Sequence, residues 1–227
     1  MSTATSPKRN WSDLRARVIS AIVMAVVGFS LVYSGFFGTA LLVFVGAIAM
    51  VWEWSRMTAS ASTGEKITGY AVIILASLGF LWLRSDPEFG FLTAIWLVLV
   101  VVAADVGAYF AGRFLGGPKL APSISPNKTI SGALGGLSLS LIVGCAVAVI
   151  SGAGTLWIIA VVSLVTAIAS QIGDLAESSA KRRHGIKDSS NILPGHGGAL
   201  DRFDGLLAAI LFIAVLALLA RSSVFAW

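Results

Sequence analysis

Charge is scarce in this chain of 227 residues: only 12% are Asp, Glu, Lys or Arg, about half the share of an ordinary soluble domain. Cysteine is nearly absent. Cys145 is the only one and sits in an apolar run, so an intrachain disulfide is excluded. There are six prolines and no Pro-rich linker, low-complexity tract or internal repeat. What remains is apolar: 57% of residues are hydrophobic and mean hydropathy is +0.90. Such a chain is an integral membrane protein. The apolar runs are continuous, without the period-2 alternation of a membrane barrel, so the fold class is all-α, a polytopic bundle of transmembrane helices. The formal charge of +5 then reads as basic loops that set orientation and meet anionic headgroups, with no nucleic-acid partner.

Seven spans are expected, at about Val18–Tyr33, Phe36–Trp52, Ile67–Leu83, Phe89–Phe110, Ile130–Ile150, Thr155–Ile172 and Phe203–Ala220. Each approaches the roughly 20 residues that cross a bilayer. The first follows a basic tail as a signal peptide would, but it is long and lacks an Ala-x-Ala site, so it reads as a retained helix. With seven spans, fourteen of the sixteen Lys and Arg fall on one side, and only Arg84 and Arg221 on the other. By the positive-inside rule the N-terminus is cytoplasmic and the C-terminus outside. The chain divides into a tail at 1–17, an N-terminal transmembrane region at 18–88 and a second transmembrane region at 89–227. Two polar cytoplasmic loops, 111–130 and 173–204, belong to the last. Trp52, Trp54, Trp82 and Trp157 lie near span ends and read as an interfacial belt. Glycines such as Gly132, Gly135 and Gly136 fit close helix packing and leave room for a homodimer without requiring one.

The acids gather at helix ends. Asp105 lies late in the fourth span. Asp174 and Glu177, three residues apart and so on one helical face, end the sixth. Asp201 and Asp204 repeat that spacing at the start of the seventh. Carboxylates at membrane depth are costly, and they are paired or functional. Without a matching set of histidines or cysteines they suit a hard cation such as Mg²⁺. The plainer alternative is a set of interhelical ion pairs with Lys181, Arg182 and Arg202. The stretch Ser178–Asp204 also carries Lys187, Asp188 and a Pro194-Gly195-His196-Gly197-Gly198 turn whose backbone can approach a phosphate. His196 suits a ligand, a phosphate donor or a turn stabiliser, whereas His184 reads as exposed. The other loop offers Arg113, Lys119, Ser125, Lys128 and Thr129, stiffened by Pro118, Pro122 and Pro126. It is no Walker A loop, since the Gly-x4-Gly-Lys order is missing.

These residues resemble a known family. Ser178, Lys181-Arg182, Lys187-Asp188, Leu193-Pro194, His196-Gly197-Gly198 and Asp201-Arg202-Phe203-Asp204 closely resemble the signature of phosphatidate cytidylyltransferases, or CDP-diacylglycerol synthases. Gly173-Asp174-Leu175, Asp105 with Gly107-Ala108-Tyr109, Gly112-Arg113, Lys119-Leu120, Ser125-Pro126 and Lys128-Thr129 extend the resemblance over about residues 103–205. Before Ala103 there is only a generic Glu53-Trp54. Ala180 and Ala199 replace bulkier apolar residues, Ile130-Ser131 stands where the family commonly has Trp-Glu, and the chain is short for the family.

The resemblance implies that CTP and phosphatidate give CDP-diacylglycerol and pyrophosphate at the cytoplasmic face of a bacterial inner membrane, with Mg²⁺ or another divalent cation. It implies metal ligands at Asp174 and Asp201, with Glu177 and Asp204 in support. Phosphates would be held by Lys181, Arg182, Lys187 and Arg202. Asp188 and His196 would shape the loop or contact nucleotide. Ser125, Lys128 and Thr129 would contact nucleotide or lipid phosphate, with Arg113, Lys119 and Asp105 beside them. The acyl chains would enter sideways from the bilayer. Rival readings are another CTP-using lipid enzyme, such as a prenyl-lipid cytidylyltransferase or polyprenol kinase, and an ion-coupled transporter. A transporter places its acids near the midplane, whereas these lie at span ends.

Overall fold

The structure, a computed structural model, describes the backbone of residues 11–192 and 197–227 and the side chains from residue 20 within them. It contains seven long helices: α1 (Trp11–Tyr33), α2 (Phe36–Met57), α3 (Thr63–Arg84), α4 (Gly90–Leu115), α5 (Ile130–Ser151), α6 (Leu156–Arg183) and α7 (Leu200–Ala220). A small hairpin, β1 (Lys119–Ala121) and β2 (Ser125–Thr129), lies between α4 and α5. Six helices, α2 to α7, are long and apolar enough to cross a membrane, while the described apolar part of α1, Ser20–Tyr33, is shorter. The seven helices stand where seven spans are expected.

Local chemistry sets the breaks. Gly35, at φ 106°, separates α1 from α2, a backbone angle that glycine adopts without a side-chain penalty. Ser62 accepts from Glu65 N at 3.3 Å and starts α3, the first half of a capping box. Thr129 Oγ1 accepts from Gly132 N at 3.0 Å and starts α5.

Two features differ from a reading by hydropathy. Helix α6 continues through Gly173–Arg183, because Leu, Ala, Glu, Lys and Arg keep the helical ladder going where apolarity stops. The stretch at 111–130 is not a plain loop but ends in the hairpin, with Lys119 opposite Thr129 and Ala121 opposite Ser125. Its prolines fall on or beside the strands, and Ile130 N closes its base on Pro118 O at 3.0 Å.

Helix α4 is central. Trp96, Leu97 and Val100 have no exposure. Its closest partner is α5. A Cβ at Gly136 would stand 2.5 Å from Ala104 O, and one at Gly107 2.5 Å from Gly135 O. Small residues on both faces bring the backbones together, as van der Waals packing within a bilayer requires. The glycines that leave room for a second copy are thus used within the chain. Three polar groups of the bundle find partners on neighbouring helices: Ser140 Oγ donates to Val100 O at 2.8 Å, Trp96 Nε1 to Ser163 Oγ at 3.1 Å, and Gln171 Nε2 to Ala133 O at 3.1 Å. Trp52, Trp82 and Trp157 are exposed, as belt residues should be, but Trp54 is buried. It packs on Gly69 and donates to Lys66 O at 3.1 Å, which locks the end of α2 to the start of α3.

The α4–α5 contact makes a prediction. Gly136→Leu overpacks it, at a cost of about 1–3 kcal/mol, and should lower the melting temperature in detergent by several degrees. Gly46→Leu, with nothing within 4 Å of its Cβ, should leave it unchanged; equal effects would show that the contact is not tight.

Candidate active site

Three helices bring the acids to one end of the bundle. Asp105 comes from α4, Asp174 and Glu177 from α6, and Asp201 and Asp204 from α7. Helices α6 and α7 touch closely at Gly173, where a Cβ would lie 2.8 Å from Asp204 O. That contact makes neighbours of Asp174 and Asp204.

A polar cleft of about 620 Å³ opens between α4, the hairpin, α5 and α6. Asp105, Arg113, Lys128, Thr129, Gln171 and Asp174 line it. Lys128 is ion-paired with Asp174, and Ser178 Oγ donates to Asp174 Oδ1 at 3.3 Å. The charges of Lys128 and Arg202 both act on Asp105. Arg113 is exposed and donates to Tyr109 OH at 3.3 Å. On the other flank of α6 lies a second hollow of about 580 Å³, lined mostly by apolar side chains, with Glu177 and Asp204 at its polar part.

Lys181 is buried between two acids. Its Nζ lies 2.5 Å from Glu177 Oε2 and 2.6 Å from Asp201 Oδ1. A charge this deep needs such partners. Asp201 also accepts from Ser189 N at 2.9 Å and Gly198 N at 2.9 Å. Its oxygens hold the loop that precedes α7. Arg182 straps the hairpin to α6, with Nε donating to Ile124 O at 3.3 Å and Nη1 to Ile186 O at 3.1 Å. Lys119, Lys187 and Asp188 are exposed, and with half-buried Ser125 they stand outside both linings. Arg202 is exposed on the first turn of α7. His196, with Pro194 and Gly195, lies outside the described residues.

Two residues behave otherwise than their sequence context indicates. His184 is half-buried, not exposed: its Nε2 lies 3.2 Å from Glu65 Oε1, which Arg183 Nη2 also reaches at 2.9 Å. The start of α3 meets the end of α6 there, a proximity that only the tertiary fold creates. Glu53 is the residue that motif reading missed. It has no exposure and accepts from Ser190 Oγ at 2.6 Å, Leu200 N at 2.7 Å, Ala199 N at 2.8 Å and Ser189 Oγ at 3.0 Å. It caps α7 from another helix, satisfying orphan N–H groups and placing a carboxylate at the positive end of the dipole. The available signal was a lone acid in the otherwise apolar α2. Ser189 Oγ lies 3.0 Å from both Glu53 Oε2 and Asp201 Oδ2, so its one hydrogen is shared between them. Ser131 donates to Gly116 O and lies 3.1 Å from Thr129 Oγ1, joining the ends of the hairpin segment.

The donor chemistry fits a hard divalent cation. Asp204 lies in the field of Asp174 and Glu177, and Asp105 in that of Asp174. Glu177 Oε1 is buried and accepts no hydrogen bond among the described residues. Among those residues no three His, Cys, Asp or Glu form a closed cage. A hard divalent cation such as Mg²⁺ needs only one or two carboxylates from the protein and completes its shell with water and phosphate.

The cytidylyltransferase family model matches residues 65–220. The phosphatidate cytidylyltransferase of Brucella suis biovar 1 (strain 1330) is 39% identical over 245 aligned residues, covering 87% of this chain and 91% of that protein. The phosphatidate cytidylyltransferase of Staphylococcus saprophyticus is 41% identical over 145 residues, covering 63% of this chain and 56% of that protein.

The Glu53 cap is testable. In Glu53→Gln one oxygen becomes an NH₂ that opposes donors it formerly accepted, and each unsatisfied donor costs about 1–3 kcal/mol. The loop at 184–192 should become more sensitive to trypsin and the melting temperature should fall. Unchanged digestion would mean that the cap does not hold the loop.

Proposed function

This chain belongs to the cytidylyltransferase family, and from that premise we propose that it is a phosphatidate cytidylyltransferase. It takes CTP and phosphatidate to CDP-diacylglycerol and pyrophosphate, in phospholipid biosynthesis. The observation that carries this reading is the polar cleft, where Lys128, Arg113 and Asp174 converge at the end of a transmembrane bundle. Its volume of about 620 Å³ lies within the range of small-ligand sites.

In the reaction a phosphate oxygen of phosphatidate attacks the α-phosphorus of CTP. The new P–O bond forms as the α–β phosphoanhydride bond breaks, and pyrophosphate leaves with the electron pair. The attacking oxygen is already ionised at neutral pH, so no strong general base is needed. The difficulty is that both reactants are polyanions. Catalysis is therefore positioning and charge stabilisation.

Lys128 and Arg113 face the cleft as cations for the triphosphate, with Arg able to grip an oxygen pair bidentately. Arg202, whose charge reaches Asp105, adds to the field from α7. Thr129 holds the hairpin at the start of α5 and so fixes Lys128. Asp201 and Lys181 hold the approach to α7 in place. A divalent cation held by Asp174 and Asp204, with Glu177 and Asp105 near them, would supply Lewis-acid neutralisation of the phosphates. We assign the site to the cytoplasmic face of the cell membrane, a reading that the Lys and Arg bias of the sequence supports.

Purified protein with labelled CTP, phosphatidate and Mg²⁺ should release pyrophosphate and form CDP-lipid, and EDTA should stop it. Asp174→Asn should cut kcat by about 100-fold or more without loss of membrane-inserted protein. Near wild-type turnover in that variant would remove Asp174 from the chemistry.

A further inference from the structure

The second hollow is a groove with three walls. Its floor is α7, from Leu200 through Asp204 and Leu207 to Leu211, about 16 Å of helix at 1.5 Å per residue. One wall is α3, with Gly69, Val72 and Ile73; the other is α6, with Ile172, Gly173 and Ala176. The walls meet at the Glu65–Arg183 ion pair, and below it each packs on α7 more than on the other. Glycine and alanine keep the trough open. The groove continues into the surface that faces lipid, where Ile172 is 60% exposed.

The groove has a direction. Its apolar length runs along α3, α6 and α7, three of the helices long and apolar enough to cross a membrane. Its polar end holds Glu177 and Asp204, and Arg183, with a side chain 58% exposed, stands at the rim. Glu177 is buried, its Oε1 without a hydrogen-bond donor among the described residues. Across α6, Asp174 faces the polar cleft. One turn of α6 therefore presents acids to a polar hollow on one flank and to an apolar groove on the other.

We propose that the groove between α3 and α6, floored by α7, takes an acyl chain of the lipid reactant and leads its phosphate to Glu177 and Asp204, opposite the nucleotide cleft. This rests on the lipid-cytidylyltransferase reading. It explains how reactants of opposite solubility reach one cluster of carboxylates: CTP comes from water on one flank of α6, and the lipid comes from the bilayer on the other. An acyl chain matches the groove because, away from its polar end, the lining is mainly apolar, with Val72, Ile73, Ile172, Leu207 and Leu211, and continuous with the bilayer-facing surface. The rim guanidinium of Arg183 matches the charge of the headgroup that follows the chain in.

Val72→Trp fills the groove from α3, remote from the acids. Wild type and variant are compared in detergent with CTP and either dipalmitoyl or dioctanoyl phosphatidate. The kcat/KM for the long-chain lipid should fall about tenfold relative to that for the short-chain lipid, with the KM for CTP unmoved. An equal change for both lipids, or no change, overturns the groove. A second measurement needs no turnover. Phosphatidate with a diazirine on its acyl chain is photolysed on wild-type protein, with and without excess unlabelled phosphatidate. Competed labels on α3, α6 and α7 along the groove support the proposal, and labels confined to α1, α4 or α5 overturn it. Groove labels without CDP-lipid formation would sink the cytidylyltransferase reading alone, while turnover with labels elsewhere would sink the groove alone.

Discussion

Two carboxylates hold the start of α7, and the polar end of the bundle is built around them. Glu53 reaches from α2 to the amides of Ala199 and Leu200, while Asp201 folds back on Ser189 and Gly198. Between them they fix a loop rich in Ser, Gly and charge, which has little apolar surface of its own to bury. Eight hydrogen-bond contacts to these two carboxylates come from uncharged backbone or hydroxyl donors. Lys181 completes the arrangement, since its one ammonium contacts both Asp201 and Glu177. Remove either anchor and the first turn of α7, with Arg202 and Asp204, loses its fixed position.

The same economy separates the two hollows. Gly173 lets α6 and α7 meet with almost no gap, and the two acids of α6, which their spacing puts near one face, line different hollows. Asp174 turns to the polar side, where Lys128 waits, and Glu177 turns to Lys181 and the apolar side. A reaction between a water-soluble polyanion and a membrane lipid needs such a divide. Close backbone packing supplies it without any extra domain.

Much of this was legible in the sequence. Hydropathy located the helices to within a turn or so at most ends, because a span must satisfy its backbone internally and must be apolar to stay in lipid. Asp105, Asp174, Glu177, Asp201 and Asp204 stood out because an acid there is expensive. Less visible were features whose cause lies elsewhere in the chain. Glu53 has no local motif, and its partners lie more than 130 residues away. His184 pairs with Glu65 across 119 residues. The polar half of α6 hides its helicity from hydropathy, which reports the solvent and not the backbone.

The sequence by itself determined the membrane environment, the number and approximate limits of the helices, and the acids and cations at their ends, because each follows from residue type and local spacing. Only the tertiary structure decided which acids share a hollow, which hold the loop and which face the apolar groove. Those choices depend on the angle and closeness of helix pairs, set by small residues such as Gly107, Gly136 and Gly173 meeting partners far along the chain.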